Sequence, residues 1–352
     1  MNEATTGAGY RLHHDAPLKD LNTLGVRSRA RVLVDLDTLD ALPAALADPA
    51  LHGQVPVVLG AGSNVLIAGD VDAVLRIRAD AVRTVAREAA GIRVRAEAGL
   101  AWDALVRWTL AQGLPGLENM ALIPGTVGAA PIQNIGAYGA EMGDFADVVE
   151  AYDLHERRVL RLGRAECAFG YRDSLFKRQP GRWIVLAVEF LLPHDPPLRL
   201  DYAGLREELA AMGVGAPTAG DVAEAVTRVR TRKLPDWRVL PNAGSFFKNP
   251  MVPVAQAQAL AETHPGMPSW PGEDAGTRKL SAAWLIEACG WKGERRGDAG
   301  IYAGHALVLV NHGQASGADL LALARAVTDA VAARFGVRLE PEPRILGEPP
   351  AP

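Results

Sequence analysis

The chain has 352 residues, enough for two or three domains of ordinary size, and 49% of them are hydrophobic, as in a compact globular protein. Acidic residues number 41 and basic residues 37, so the formal charge of −4 gives no general attraction to nucleic acid or to an anionic membrane. The two cysteines, Cys167 and Cys289, form no Cys-x-x-Cys or Cys/His cluster, so neither a disulfide framework nor a metal site is predicted.

Residues 1–17 mix Gly, Thr, His and Asp without a period, and we expect them to form a loose leader. They contain no basic region followed by an apolar stretch. The longest apolar run, Trp183–Leu192, is too short to span a bilayer and contains Glu189. We therefore expect a cytoplasmic protein with reduced thiols.

The first predicted elements are a strand at Arg31–Asp35, a short helix at Leu39–Leu46, and a buried strand that breaks at Gly60–Asn64, GAGSN. A Rossmann turn would have a third glycine where this chain has Val65, and a P-loop would have Lys followed by Ser or Thr. The loop is therefore either a tight structural turn or a phosphate-binding loop of another kind.

Half-exposed strands at Leu75–Ile77 and Ile92–Ala98 come next, and then a helix from Trp102 to Leu110 that Gly113 ends. The tryptophans of this helix, Trp102 and Trp108, have the spacing of core residues. We therefore assign them no role in a functional site.

The central segment, Gly116–Glu141, reads GLENMALIPGTVGAAPIQNIGAYGAE. Its recurring glycines and prolines predict an ordered loop, because neither a helix nor a central strand can run through them unbroken. Backbone amides released from regular pairing can bind an anion such as a phosphate. Structural turns are the alternative here too, but two such loops in one chain favour phosphate binding.

Beyond the central segment, we expect paired strands at Val148–Leu154 and Arg158–Leu162, and a strand buried on both faces at Trp183–Leu192. A helix capped by Asp221 follows. Its dipole accounts for the arginines near its C-terminal end without a function.

The last third of the chain predicts a small α+β domain. Asn242–Pro250 reads as a strand end with one buried and one exposed phenylalanine, and its serine has no histidine in the motif to activate it as a nucleophile. We expect a helix at Lys279–Ala288, a strand at Ala306–Val310, and a long helix that Ser316 caps and Gly336 ends.

Several segments resemble motifs of the UDP-N-acetylenolpyruvoylglucosamine reductase family. The loops at Gly60–Asn64 and Ile123–Glu141 resemble its two flavin-binding segments, and the resemblance extends from about Leu18 to Gly347. The further matching motifs are Asn-Thr-Leu-Gly at 22–25, Tyr-Arg-Asp-Ser at 171–174, Arg-Lys-Leu-Pro-Asp at 232–236, Asn-Ala-Gly-Ser-Phe-Phe-Lys-Asn-Pro at 242–250 and Leu-Glu-Pro-Glu-Pro-Arg at 339–344.

The resemblance implies an α+β fold, in which a two-part FAD-binding unit of the vanillyl-alcohol-oxidase (PCMH) type is joined to a smaller α+β substrate-binding domain. We expect a leader at 1–17, FAD-binding subdomains at 18–80 and 81–235, and a substrate-binding domain at 236–336. Residues 337–352 are expected to form a strand and tail that return to the active site.

The implied function is that of an FAD-dependent oxidoreductase. NADPH reduces a non-covalently bound FAD, which then reduces a UDP-linked enolpyruvyl ether to UDP-N-acetylmuramate, a peptidoglycan precursor. The implied partners are therefore a UDP-sugar and NADPH. We expect a monomer without a nucleic-acid or membrane partner.

The resemblance also assigns the site residues. Arg172 would bind the substrate carboxylate and stabilise the enolate, Glu342 would assist in its protonated form, and Ser245 would donate a proton. Without the family match, Arg172 would be interpreted as a surface ion pair and Glu342 as solvated charge. The residues expected to bind FAD are Gly60, Ala61, Gly62, Ser63, Asn64, Pro124, Gly125, Thr126, Gly128, Ala129, Gln133, Asn134, Gly136 and Ala137.

Tyr202, Lys233 and Asn249 match residues that contact the substrate. Lys233 matches a lysine that contacts either the nucleotide diphosphate or the cofactor, and Tyr202 could also be a half-buried packing residue. Two positions depart from the family pattern, because Trp270 stands where a nucleotide-contacting tyrosine is expected and Pro343 replaces a valine. Two other functions remain open. One is another flavoenzyme of this fold, such as a hydroxy-acid oxidase, which would keep both glycine loops but would not need Arg172, Ser245 and Glu342 in these motifs. The other is a non-catalytic nucleotide-binding protein, which would be colourless.

Overall fold

The computed structural model describes residues 5–272 and 274–347. They divide into two compact units, each discontinuous in the sequence. Unit 1 contains residues 5–16, 30–61 and 72–232, and unit 2 contains residues 17–29, 62–71 and 233–347. The expected boundaries of two FAD-binding subdomains and a substrate-binding domain stay predictions.

Strands and helices are mixed throughout both units. The strands are β1 Thr5–Gly7, β2 Tyr10–Pro17, β3 Arg29–Leu36, β4 Val57–Val58, β5 Val65–Ile67, β6 Val71–Ile77, β7 Val82–Glu88, β8 Gly91–Glu97, β9 Gly136–Ala137, β10 Ala140–Glu141, β11 Ala146–Asp153, β12 Arg158–Gly163, β13 Trp183–Leu192, β14 Asn242–Ser245, β15 Met251–Pro253, β16 Ser269–Pro271, β17 Thr277–Leu280, β18 Arg295–Arg296, β19 Ala299–Ile301, β20 Val308–Asn311 and β21 Arg344–Leu346. The helices are α1 Leu42–Leu46, α2 Trp102–Ala111, α3 Arg164–Cys167, α4 Leu175–Arg178, α5 Leu205–Ala211, α6 Ala219–Lys233, α7 Val254–Thr263, α8 Ala282–Ala288 and α9 Gly317–Phe335. Among the described residues, none of these helices is both long and apolar enough to cross a membrane.

The first sheet of unit 1 has the strand order β1-β2-β3-β6-β4. Our expectation of a loose leader is wrong for residues 5–17, which form β1 and β2. Leu12 on β2 is only 2% exposed and packs in the core of this sheet, and the Tyr10 hydroxyl donates to Asp48 at 2.9 Å. These partners lie far along the chain, so no local period shows them. Residues 1–4 of the leader lie outside the described residues.

The second sheet of unit 1 is antiparallel, with the order β12-β11-β13-β8-β7. Its central strand, β13, sends Ile184 and Leu186 into one hydrophobic core and Val188 and Phe190 into another. This confirms the prediction of a strand buried on both faces, and the β11–β12 pairing is confirmed as well. Trp102 of α2 is fully buried, with its ring 5.9 Å from that of Phe190, so its predicted core role is also confirmed.

Unit 2 contains a sheet of order β14-β20-β19-β18, a smaller sheet of order β15-β17-β16, and a parallel pair of β5 and β21. Helices α8 and α9 pack on their core, and Ser316 and Gly336 cap α9 as predicted. The helix expected from Lys279 begins later, since Lys279 pairs with Met251 and Trp270 in the smaller sheet and Ser281 caps α8.

Candidate active site

The Gly60–Asn64 loop presents a row of backbone donors. Leu59 makes the last bond before the loop, from its amide to the Leu75 carbonyl at 2.9 Å. No backbone amide from Gly60 to Asn64 has an acceptor among the residues that the structure describes. Successive amides of this kind suit an anion, so the donor set fits the diphosphate of a dinucleotide such as FAD.

The glycines of this loop are required by the packing of the chain itself. A Cβ on Gly62, whose φ is +62°, would lie 2.1 Å from the Leu21 carbonyl oxygen, and one on Gly60 would lie 2.7 Å from Thr126 Oγ1. Crowding by protein atoms explains these glycines without a ligand. The amide donors, and not the glycines, therefore indicate an anion site.

The central segment has no long helix or strand, as predicted, and it is anchored to its own unit. Its Gly125 carbonyl accepts from the Trp102 amide at 3.0 Å, and its Gly128 amide donates to Ala98 at 2.9 Å. Only the short strands β9 and β10 pair within it. The segment is therefore an ordered loop that is hydrogen-bonded to the residue after β8 and to the first residue of α2.

Arg172 lies at the tip of a tight turn in unit 1. The amides and carbonyls of Gly170 and Asp173 exchange bonds of 3.0 and 3.2 Å, and Arg172 has a left-handed φ of 54°, an uncommon conformation for a residue other than glycine. Its Nη2 donates to the carbonyl of Gly136 at 2.9 Å, and its guanidinium carbon lies 5.2 Å from the centre of the Tyr171 ring. The structure thus brings Arg172 to the central segment.

Ser245 and Glu342 belong to two chain segments of unit 2 that bond to each other through the backbone. Ser245 ends β14, the Glu342 amide donates to the Phe246 carbonyl at 2.8 Å, and the Lys248 amide donates to Glu340 at 3.0 Å. The expectation of one exposed phenylalanine is wrong. Phe246 and Phe247 are 0% and 1% exposed and pack edge to face, because the chain leaves β14 before them and Phe247 pairs with Pro341.

The residues expected to contact the substrate differ in their exposure and in their contacts within each unit. Tyr202 of unit 1 is 47% exposed, and its ring packs edge-on against Tyr138 with centroids 4.9 Å apart. Lys233 of unit 2 is exposed at the end of α6. Burial lowers the pKa of His305, and the charge of Lys233 adds to this effect. Asn249 accepts from the first amide of α8 at 3.0 Å, and Trp270 on β16 is 45% exposed.

Tyr138 is a residue that the sequence reasoning missed. It lies in the central segment, is 8% exposed, has a left-handed φ of 49°, and its carbonyl accepts from the buried Asn119 side chain at 2.8 Å. Burial raises the pKa of its hydroxyl, an effect that the guanidinium of Arg230 opposes. The sequence signal was an aromatic residue between the glycines of Gly-Ala-Tyr-Gly.

Helix α6 holds three arginines in different surroundings. Arg228 pairs with Glu224 and Arg232 with Glu208, whereas no carboxylate among the described residues lies within ion-pair distance of Arg230. Burial lowers the pKa of Arg230. The helix also begins earlier than predicted, because Thr218 is its cap: the Thr218 hydroxyl accepts from the Asp221 amide at 3.2 Å, and the Asp221 carboxylate accepts from the Thr218 amide at 2.8 Å.

Comparisons with known proteins agree with this architecture. A family model described as FAD binding domain matches residues 30–157, and one described as UDP-N-acetylenolpyruvoylglucosamine reductase, C-terminal domain, matches residues 235–346. The chain is therefore an FAD-dependent oxidoreductase with the predicted α+β fold, which contains an FAD-binding unit of the vanillyl-alcohol-oxidase type.

The UDP-N-acetylenolpyruvoylglucosamine reductase of Xanthomonas axonopodis pv. citri is 58% identical over 340 residues, covering 96% of this chain and 97% of that protein. That of Xanthomonas campestris pv. campestris is 58% identical over 339 residues, with the same coverage. The crystal structure of the reductase from Thermus caldophilus aligns with a TM-score of 0.65 at 29% identity and covers 96% of this chain and 99% of that one. The chain belongs to the UDP-N-acetylenolpyruvoylglucosamine reductase family.

Proposed function

We propose that the protein reduces the enolpyruvyl ether of UDP-N-acetylglucosamine to UDP-N-acetylmuramate, with NADPH as reductant and FAD as bound cofactor, in the synthesis of peptidoglycan precursors. The observation that carries the assignment of residues is the backbone pairing of the Ser245 and Glu342 segments, with 2.8 Å between the Glu342 amide nitrogen and the Phe246 oxygen. It brings a segment bearing a hydroxyl and a segment bearing a carboxyl side by side. The hydroxyl would supply the proton that an enolate takes up, and the carboxyl would stabilise the charge of the enolate.

FAD binding is assigned to the amide donors of Gly60–Asn64 and to loop residues of the central segment, namely Pro124, Gly125, Thr126, Gly128, Ala129, Gln133, Gly136, Ala137 and the main chain of Asn134. When bound, FAD supplies the hydride chemistry that no amino-acid side chain can perform. The protein contributes amide donors for the diphosphate, an oriented binding surface and the exclusion of water.

Each of the three proposed catalytic side chains has a distinct chemical task. The planar fork of Arg172 binds the substrate carboxylate through two oxygens and stabilises negative charge that develops on the adjacent enolate. Glu342, when protonated, donates a hydrogen bond to the same charge. Ser245 donates the proton to the adjacent carbon, because an enolate is basic enough to take a proton from a hydroxyl held in the correct geometry.

Substrate recognition is assigned to Tyr202, Lys233 and Asn249. Lys233 is an exposed cation suited to a diphosphate, and the exposed face of Tyr202 can cover the same group. Trp270 is exposed on β16 and offers a flat aromatic surface at the position where a tyrosine was expected. We further propose that the protein acts in the cytoplasm as a monomer, without a nucleic-acid or membrane partner.

The test is anaerobic spectroscopy of the purified protein, with the flavin identified after its release. We expect a yellow protein whose visible flavin absorbance is bleached by NADPH and restored by the UDP-linked enolpyruvyl ether. Bleaching by a hydroxy acid, with restoration by oxygen and not by the enolpyruvyl ether, would indicate another flavoenzyme. A colourless protein that binds UDP-sugars without turnover would indicate a non-catalytic binding protein.

A further inference from the structure

We propose that Asn134 is a positioning residue whose side chain fixes the turn carrying Arg172 to the central segment. This inference rests on the proposed function for the role of Arg172, and it changes the expected task of the Asn134 side chain. A direct contact with FAD was expected from the sequence. In the structure, the donors and the acceptor of its amide bind protein atoms.

The amide group of the Asn134 side chain is buried, and both its nitrogen and its oxygen form hydrogen bonds. Its Nδ2 donates to the Gly170 carbonyl at 3.1 Å and to Glu141 Oε2 at 2.7 Å, and its Oδ1 accepts from the Gly143 amide at 2.7 Å. The residue is 2% exposed. Because one end contacts oxygens and the other contacts an N–H group, only one orientation of the amide satisfies all three partners.

The turn is tied to alternate residues of the central segment. The Ser174 hydroxyl donates to the Ile132 carbonyl at 2.7 Å, Asn134 donates to Gly170, and Arg172 donates to the Gly136 carbonyl at 2.9 Å. The first two bonds hold the two ends of the turn. The third bond comes from the guanidinium group itself.

Such a set of bonds is needed because the turn is strained. Arg172 has a φ of 54°, in the left-handed region that a residue other than glycine or asparagine occupies only at an energetic cost. With both ends free, the turn would relax and the guanidinium would move. The carbonyl bonds from Asn134 and Ser174 therefore hold the geometry that two-oxygen recognition requires.

Asn134→Asp tests this inference with little disturbance of the backbone. Asn134 itself has a left-handed φ of 46°, which aspartate tolerates better than alanine. An aspartate oxygen can still accept from Gly143, but it cannot donate to Gly170 or Glu141. Ser174→Ala is the second variant, which removes the bond at the other end of the turn.

Asn311→Asp is the matched control. Asn311 is 1% exposed, its Nδ2 donates to the carbonyls of Leu24 and Ala315 at 3.0 and 3.1 Å, and its Oδ1 accepts from the Ala315 amide at 3.0 Å. It lies in unit 2. The substitution is the same, but it does not touch the Arg172 turn, and the Asn311 amide has only backbone partners where Asn134 also has the Glu141 carboxylate.

Two measurements are made on the flavin-loaded proteins. Hydrogen exchange is followed at the Gly170 and Asp173 amides, which close the turn, and we expect it to become faster in Asn134→Asp and Ser174→Ala and to be unchanged in Asn311→Asp. Anaerobic stopped flow then separates the half-reactions. We expect reoxidation by the enolpyruvyl ether to slow by about 100-fold, the scale of a misplaced catalytic group, with reduction by NADPH unchanged.

Unchanged exchange at Gly170 and Asp173 in Asn134→Asp would overturn the inference, whatever the rates and whatever the result for Ser174→Ala. Faster exchange with unaltered reoxidation, or with both half-reactions slowed equally, would overturn the positioning role in the reaction. If the unsubstituted protein is not reoxidised by the enolpyruvyl ether at all, the proposed function fails. The exchange experiment still decides in that case whether Asn134 holds the turn.

Discussion

The Arg172 turn and the Ser245–Glu342 region hold their candidate catalytic groups in different ways. Arg172 lies in a left-handed turn that side chains tie to backbone carbonyls, through Ser174 and Asn134. Ser245 and Glu342 lie on segments whose backbones bond directly to one another, and the Ser245 segment also pairs with β20. The first arrangement therefore depends on the identity of a few side chains, and the second depends on the course of the main chain.

The largest effect is expected from removing a reacting group in the Ser245–Glu342 region, which main-chain bonds hold. Ser245→Ala removes the proposed proton donor without altering the backbone pairing, so reoxidation of the flavin by the enolpyruvyl ether should slow by roughly 10²- to 10⁴-fold while reduction by NADPH is unchanged. Stopped-flow absorbance measures both half-reactions. Ser316→Ala, which removes a helix-cap hydroxyl in the same unit, should leave both rates unchanged, and equal slowing of both in Ser245→Ala would contradict the assignment.

The largest loss of stability is expected from Gly62→Ala, because the main chain of Gly62 is linked through Thr23 to β14. Gly62 accepts from the Thr23 amide at 3.1 Å, and Thr23 accepts from the Asn242 amide of β14 at 2.9 Å. Gly62→Ala adds a clash with Leu21 to an unfavourable φ, so we expect a loss of about 2–5 kcal/mol in the free energy of unfolding, with weaker flavin retention.

Gly139→Ala is the control for that substitution. Gly139 has a φ of +83° but no atom within 4 Å of an added Cβ, so only the conformational cost of about 1–2 kcal/mol is expected. Denaturant titration gives both values. Equal losses in the two variants would show that crowding at Leu21 does not constrain the Gly60–Asn64 loop.

Pro343→Val restores the residue expected from the family pattern. It tests whether the proline ring contributes to stability or to turnover beside the hydrogen bonds of Glu342 and Arg344. The Glu342 and Arg344 amides make the bonds, to Phe246 at 2.8 Å and to Asn64 at 3.1 Å, so the amide of residue 343 is not needed. Because proline restricts the unfolded chain, valine should lower the free energy of unfolding by about 0.4–1 kcal/mol and leave turnover unchanged. A large loss of turnover would mean that the ring itself shapes the site.

The smallest effect is expected from Glu340→Gln. The Glu340 carboxylate pairs with Lys248 at 2.9 Å and is 73% exposed, so this ion pair contributes at most about 1 kcal/mol. If main-chain bonds hold the two segments, the rate of flavin reoxidation should change less than about twofold. Such a change is well below the roughly 1.4 kcal/mol that a tenfold change represents. A loss comparable to that of Asn134→Asp would end the distinction between the two regions.

Local patterns predicted much of this structure. The apolar run at Trp183–Leu192 became the central strand β13, the Ser316 and Gly336 signals marked the ends of α9, and the glycines of the central segment excluded a long element. These features depend on neighbours along the chain: backbone conformation, side-chain period and capping. Motif resemblance added the family and the candidate site residues, which periodicity alone does not give.

Only the tertiary structure decided features whose partners are distant in sequence. Residues 5–17 form strands because Leu12 and Tyr10 find partners elsewhere in unit 1, and Phe247 is buried because Pro341 pairs beside it. The side chain of Asn134 holds the Arg172 turn through a carbonyl that lies in another part of the sequence. The sequence by itself determined which residues could carry the chemistry, whereas long-range hydrogen bonds and packing decided how their segments are held, because those energies exist only when the chain is folded.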